Sequence, residues 1–224
     1  QIGIYRRCGI TDIIVVRGFA ADKITYSGVK YYDNTDFADT NMVESLLAAK
    51  REFDEDTIVS YSDILFEEGM LRGMMDREED FVVAVDENWQ EYWQARYGKV
   101  DFDTESLSLD GDDNIVELGL EAPKLEDIDA RYIGLLKFSK KALEKIVEIH
   151  DRDYEAYQDR PWKQSGKTIR KAYMTDLLQA VIESGNHVKA ARFRNGWIEF
   201  DTNEDYETAV EWVENGALDR FIRL

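Results

Sequence analysis

Two stretches far apart in the chain share one arrangement: an apolar, β-prone run that ends in an aspartate and is followed by a helical pattern. They are TIVSYSDILF around Asp63 and GWIEFDTNEDY around Asp201. If Ile58 and Val59 lie in a buried strand, Asp63 arrives near its carboxyl end, where open α/β sheets bind ligands. If both strands open on the same edge, Asp63 and Asp201 face one cavity. Two carboxylates completed by waters and phosphate oxygens make an octahedral Mg²⁺ site. Oxygen ligands drawn from distant parts of a chain suit magnesium and not zinc. The plainer role for either aspartate is a helix cap, and a chain this acidic offers many such pairs.

Other candidates surround that pair. Ser62 precedes Asp63, and Glu199 stands two residues before Asp201. DENWQEYWQARYG clusters Trp89, Tyr92, Trp93 and Tyr97, and aromatic faces near carboxylates bind ammonium groups through cation–π contacts. The same spacing suits an amphipathic helix packing aromatics on the core, so Trp89 is a pocket candidate on one reading and a core residue on the other. Asn34 and Asn41, in a loop entering a helix, can donate to a substrate phosphate or serve as turn and cap residues. QDRPWKQSGKTIRKAY holds Arg160, Lys163, Lys167, Arg170 and Lys171 in one loop-like segment. Lys163, Lys167 and Arg170 could hold a phosphate or phosphonate there, or the segment is a solvated loop.

Composition narrows the classes. The formal charge, 28 basic minus 47 acidic residues or −19, opposes nucleic acid and anionic membranes as partners, because phosphate backbones and lipid headgroups call for a basic surface. An anionic substrate would need a divalent cation or a local basic cluster. The single Cys8 cannot close an internal disulfide, and with two histidines no Cys/His zinc site or Ser-His-Asp triad is recognisable. No apolar run reaches the roughly 18 residues of a spanning helix, and no signal peptide is visible at the start, so a cytoplasmic location is expected. The 224 residues suit one domain, 1–224, around one sizeable core.

The elements that must position these residues alternate. YRRCG reads as a helix end with a Gly cap, and Ile13 to Val16 as a buried strand. A strand at Val29 to Tyr32 precedes a helix opened by Thr40 or Asn41. TIVSYSDILF reads as the next strand, EEGMLRGMMDRE as a helix and DFVVAVDEN as a further buried strand. DFDTESLSLDGDDNIVELGL carries a hairpin signal at DGDDN. RYIGLLKFS is a strand, KKALEKIVEIHDRDYEAY an amphipathic helix, and AYMTDLLQAVIESG a helix closed by Gly185. Thr202 or Asn203 opens a last helix. This alternation predicts an α/β, Rossmann-like three-layer fold: a mainly parallel mixed sheet flanked by helices.

Taken in order, GITDIIVVRGF, YYDNTDFADTNMVESLLAAK, VSYSDILF, RYIGLLKFS, AYMTDLLQAVIESG and GWIEFDTNEDYETA resemble the nucleotidyltransferase superfamily. The resemblance is to the cytidylyltransferase-like branch acting on phosphocholine, aminoethylphosphonate, sugar phosphates or similar small phospho-compounds, and it covers nearly the whole chain. It implies Mg²⁺-dependent transfer of a nucleoside monophosphate, CMP in that branch, from an NTP to a phosphate or phosphonate oxygen, with release of pyrophosphate. The family's two metal-binding aspartates match Asp63 and Asp201. The family's Gly-rich phosphate loop, which follows its first strand, has no match among these residues. The chain is therefore expected to be a fragment, or to be completed by another segment or chain, and oligomerisation is possible. The alternative is a catalytically inactive, nucleotidyltransferase-like ligand-binding module.

Overall fold

Capping chemistry and apolar spacing set most element boundaries. In the computed structural model, which describes residues 1–121 and 123–223, helix α1 (Ile2–Arg7) ends on Arg6 and Arg7, cations that complement the dipole of a helix C-terminus. Strands β1 (Ile14–Arg17) and β2 (Lys30–Asp33) pair in parallel. Helix α2 (Met42–Ala48) starts where the Asn41 side-chain oxygen accepts from the Met42 N–H at 2.9 Å. Strands β3 (Thr57–Ser60) and β4 (Ile64–Phe66), helix α3 (Glu68–Met75), strand β5 (Phe81–Asp86) and helix α4 (Trp89–Tyr97) follow. Then come the β6 (Glu105–Leu109) and β7 (Asn114–Glu121) hairpin, strand β8 (Arg131–Phe138) and helix α5 (Lys140–Tyr157). Helix α6 (Met174–Glu183), strands β9 (Val188–Phe193) and β10 (Trp197–Glu199), and helix α7 (Asn203–Asn215) complete the chain. Thr202 opens α7 in a capping box with Asp205.

The central sheet has six strands in the order β3-β8-β5-β9-β7-β6. It is an α/β three-layer arrangement, because successive strand residues feed two cores. Val83 and Val85 of β5 and Leu136 and Phe138 of β8 meet α2, α5 and α6 on one face. Val82 and Ala84 of β5 and Ile133 and Leu135 of β8 meet α1, α3, α4 and α7 on the other. Strands buried on both faces read as continuous apolar runs, and FVVAV and IGLL do so. Cys8 is a buried free thiol. No described helix is long and apolar enough to cross a membrane.

Three expectations are corrected. The sheet is mixed, and β3, β5, β9 and β6 run one way against β8 and β7. Of its five neighbouring pairs, however, only β5–β9 is parallel and four are antiparallel. Alternating periodicity marks strands but not their neighbours, and β8 and β7 insert between strands of the majority direction. Strand β1 does not join this sheet; it pairs with β2 in a separate ribbon and its residues are only partly buried. β-branched residues favour extended backbone wherever a partner lies, and that partner is non-local. Finally, TIVSYSDILF is two strands. The Tyr61 N–H still bonds the Gly134 carbonyl at 2.9 Å, then Ser62 and Asp63 turn the chain out of the main sheet and Ile64 pairs with β10.

Candidate active site

The corner between β3 and β4 is what joins the two aspartates. Strand β10 runs antiparallel to β4 with Trp197 opposite Phe66, Ile198 opposite Leu65 and Glu199 opposite Ile64. The ladder extends one residue further, as the Phe200 N–H donates to the Asp63 carbonyl at 2.9 Å. Asp201 therefore emerges beside Asp63, and both are exposed to solvent. Partial desolvation against the corner pushes the Asp63 carboxyl above its ordinary range. Its own backbone N–H opposes that, the Asp201 charge adds to it, and Arg96 opposes it.

Strand β10 is held in register from the end of β5. Asp86 is fully buried and accepts from Trp197 Nε1 at 2.9 Å, from the Asn88 N–H at 2.8 Å and from the Asn195 N–H at 3.1 Å. Burial raises its pKa while those three donors oppose the rise. The Asn195-Gly196 turn, with φ of +58° and +89°, reverses the chain so that Trp197 lies over this carboxylate.

Behind Asp201 stands Arg96 of α4, its side chain 2% exposed. Its Nη1 bonds Glu199; its Nη2 bonds Asp201 at 2.8 Å; its Nε and Nη2 bond Asp205 at 2.6 and 2.8 Å. A planar guanidinium with five donors can hold three carboxylates, which an ammonium at the same point could not arrange. One positive charge does not neutralise three negative ones, so the acids separate. Asp205, though burial works against it, is held down at about 2 by Arg96 and by the Thr202 N–H and hydroxyl. Glu199 is raised to about 7 by burial, against the pull of Arg131 and Arg96. Arg96 also lies 4.5 Å from the Tyr97 ring centroid.

The remaining candidates have other surroundings. Trp89 is 1% exposed and packs edge-to-face on Trp93, so it is core and not a pocket liner; the helix buries its largest apolar surface. The Asn34 carboxamide donates to Thr40 and Ser45 hydroxyls and accepts from the Asp36 N–H, which ties up its hydrogen-bonding groups within the loop. Asn41 is the α2 cap. Ser62 is exposed in the β3–β4 turn. Lys163 pairs with Glu183, Arg170 approaches Asp36 at 3.7 Å, and Lys167 lies 4.7 Å from the Tyr173 ring centroid. Their segment packs through Trp162 and Ile169 into the α2–α5–α6 layer, whereas Arg96 and the β10 side chains belong to the opposite layer. The structure thus brings together Asp63, Ser62, Glu199 and Asp201 and sets the basic segment apart.

Arg96, Asp205 and Asp86 were not legible as site residues, because each acquires its role from a partner about 100 or more residues away. The one local signal was Thr202 with Asp205 three residues on, a capping box. Among the described residues no three His, Cys, Asp or Glu side chains converge into a closed metal cage.

No family model matches the chain. It is 30% identical over 222 residues to the CTP:phosphoglutamine cytidylyltransferase of Campylobacter jejuni subsp. jejuni serotype O:2, covering 94% of this chain and 85% of that protein. Among solved structures it superposes on the CTP:phosphocholine cytidylyltransferase from Streptococcus pneumoniae with a TM-score of 0.71 at 20% identity, over 95% of this chain and 83% of that one. The inositol-1-phosphate CTP transferase from T. maritima follows with a TM-score of 0.67 at 16% identity, over 99% and 83%. These two show a shared fold. The curated relative adds lineage, and with it the chain belongs to the cytidylyltransferase-like nucleotidyltransferases.

Proposed function

We propose that the chain transfers CMP from CTP to a phosphate or phosphonate oxygen of a small acceptor and releases pyrophosphate. The observation that carries this reading is the β4–β10 ladder, which sets Asp63 beside Asp201 at an exposed corner. CTP is favoured because all three proteins reported above are named for it. The acceptor classes are phosphocholine, aminoethylphosphonate, a sugar phosphate and, from the curated relative, phosphoglutamine.

The donor set fits Mg²⁺. Asp63 and Asp201 are hard oxygen donors open to solvent, and a site with few protein ligands suits an ion that keeps waters and takes substrate oxygens. Those two residues would hold it, and when bound it screens the repulsion between acceptor and triphosphate and stabilises departing pyrophosphate. The chain's own groups position the rest. Arg96 orients Asp201, and ionised Asp205 holds Arg96 in place. The acceptor oxygen is already anionic near neutral pH, so no general base is required. Its bond to the α-phosphorus forms as the bond to the β-phosphate oxygen breaks, and pyrophosphate leaves with that electron pair.

The test is pyrophosphate release with Mg²⁺, each NTP in turn, and each of the four acceptor classes. CTP should support turnover, and Asp63→Ala or Asp201→Ala should lower kcat on the order of 10²-fold or more with folding nearly unchanged. Full turnover in either variant would remove the metal assignment.

A further inference from the structure

Two guanidiniums rest against the Trp93 indole, with Arg96 5.6 Å and Arg131 4.5 Å from its ring centroid. Arg96 is saturated by three carboxylates. Arg131, the first residue of β8, is not: its Nε and Nη1 are buried and have no hydrogen-bond partner among the described residues. Buried donors without acceptors are rare, and each calls for an explanation. The Glu199 and Glu105 carboxyls both feel the Arg131 charge. Glu199 is the residue that Arg96 ties to Asp201, so Arg131 stands next to the acid cluster with unused hydrogen-bonding capacity. The neighbouring Tyr132 hydroxyl donates to the Tyr61 hydroxyl at 3.2 Å, which in turn reaches Met42 Sδ at 2.9 Å. Tyr132 packs into the α2–α5–α6 layer, whereas Arg131 rests on Trp93 in the opposite layer, the one that also holds Trp197 and Ile198 of β10.

We infer that Arg131 is the oxyanion-binding residue for the acceptor: its guanidinium receives a phosphate, phosphonate or carboxylate oxygen that completes the hydrogen bonds of Nε and Nη1. The inference rests on the reading of the chain as a phosphoryl-acceptor cytidylyltransferase. Glu199 and Glu105 share the Arg131 charge, but its Nε and Nη1 still lack acceptors among the described residues, and a planar donor fork suits an oxyanion better than a point charge does. Stacking on Trp93 holds the fork in place before the ligand arrives, so little side-chain entropy remains to be lost on binding.

The experiment compares the full chain with Arg131→Met and Arg131→Lys. Initial rates are measured with CTP varied at fixed acceptor and with acceptor varied at fixed CTP, using phosphocholine in one arm and phosphoglutamine in the other. The expected result is an acceptor KM at least 10-fold higher in Arg131→Met, a smaller rise in Arg131→Lys, and an unchanged KM for CTP. A rise with both acceptors means that the phosphate is read; a rise with phosphoglutamine alone means that its carboxylate is read. Unchanged acceptor KM values, or a rise in the CTP KM alone, would overturn the inference while leaving the proposed function standing. If the unaltered chain turns over none of the four acceptor classes with CTP, the functional reading fails by itself. Arg131 is then judged by titrating inorganic phosphate against tryptophan emission: a saturable change lost in both variants supports an oxyanion site, and no change in the unaltered chain excludes one.

Discussion

One guanidinium organises the acids of this site, and the consequences can be read by pH. Asp205 has a native pKa of about 2 against an ordinary value of 3.8. Its folded value is depressed, so it contributes stability that is fully present above pH ~4 and lost as pH falls toward 2. With its side chain 7% exposed, the shift corresponds to about 2 kcal/mol. Asp205→Asn should therefore lower stability at pH 7 by roughly that amount and flatten the acid limb of a urea-unfolding series between pH 5 and 2. An unchanged acid limb would show that Arg96 is held without the Asp205 charge.

At the level of elements, the site depends on two devices, one that seats β10 and one that presents the β3–β4 turn. Trp197→Phe removes the Nε1 donor from buried Asp86, leaving that carboxylate one partner short, a loss of about 1–3 kcal/mol, and the smaller ring adds a cavity cost at this fully buried position. Because Asp201 rides on the same strand, turnover should fall together with stability although neither aspartate is touched. Thermal unfolding and pyrophosphate release on the same samples check this. The second device is Gly134 of β8, at φ +76°, where an added Cβ would lie 2.7 Å from Cδ2 of the Tyr61 ring. The left-handed conformation alone costs a non-glycine residue roughly 1–2 kcal/mol, and the ring must also move. Gly134→Ala should lower the unfolding midpoint by at least that equivalent and displace the turn that presents Asp63. A midpoint within error of the unaltered chain would mean that the corner yields freely.

Over the whole molecule, the charge of −19 repels the anionic substrates that the reaction requires. Raising ionic strength from about 0.01 to 0.15 M shortens the screening length from about 30 to 8 Å. The association rate of CTP, followed by stopped-flow tryptophan emission at fixed free Mg²⁺, should therefore rise with salt. A fall would reveal a basic funnel stronger than the net field. The basic segment around Lys163, Lys167 and Arg170 does not supply one at the aspartate corner, because it packs in the other layer with Lys163 paired to Glu183.

Local chemistry by itself determined much of the chain. Asn41 and Thr202 cap helices through their own side chains, FVVAV is buried on both faces because every residue in it is apolar, and the run of family-like blocks stood in order along the sequence. It also singled out Asp63 and Asp201, as polar residues closing apolar runs. Tertiary structure alone decided that the two lie side by side, since strand pairing is non-local and β4 leaves the sheet that β3 enters. It likewise decided that Trp89 is core, that Arg96 gathers acids 103 to 109 residues away, and that the Arg131 Nε and Nη1 lack hydrogen-bond partners among the described residues. Charge and hydrogen-bond satisfaction depend on what surrounds a side chain in three dimensions, and residue spacing along a sequence carries no record of it.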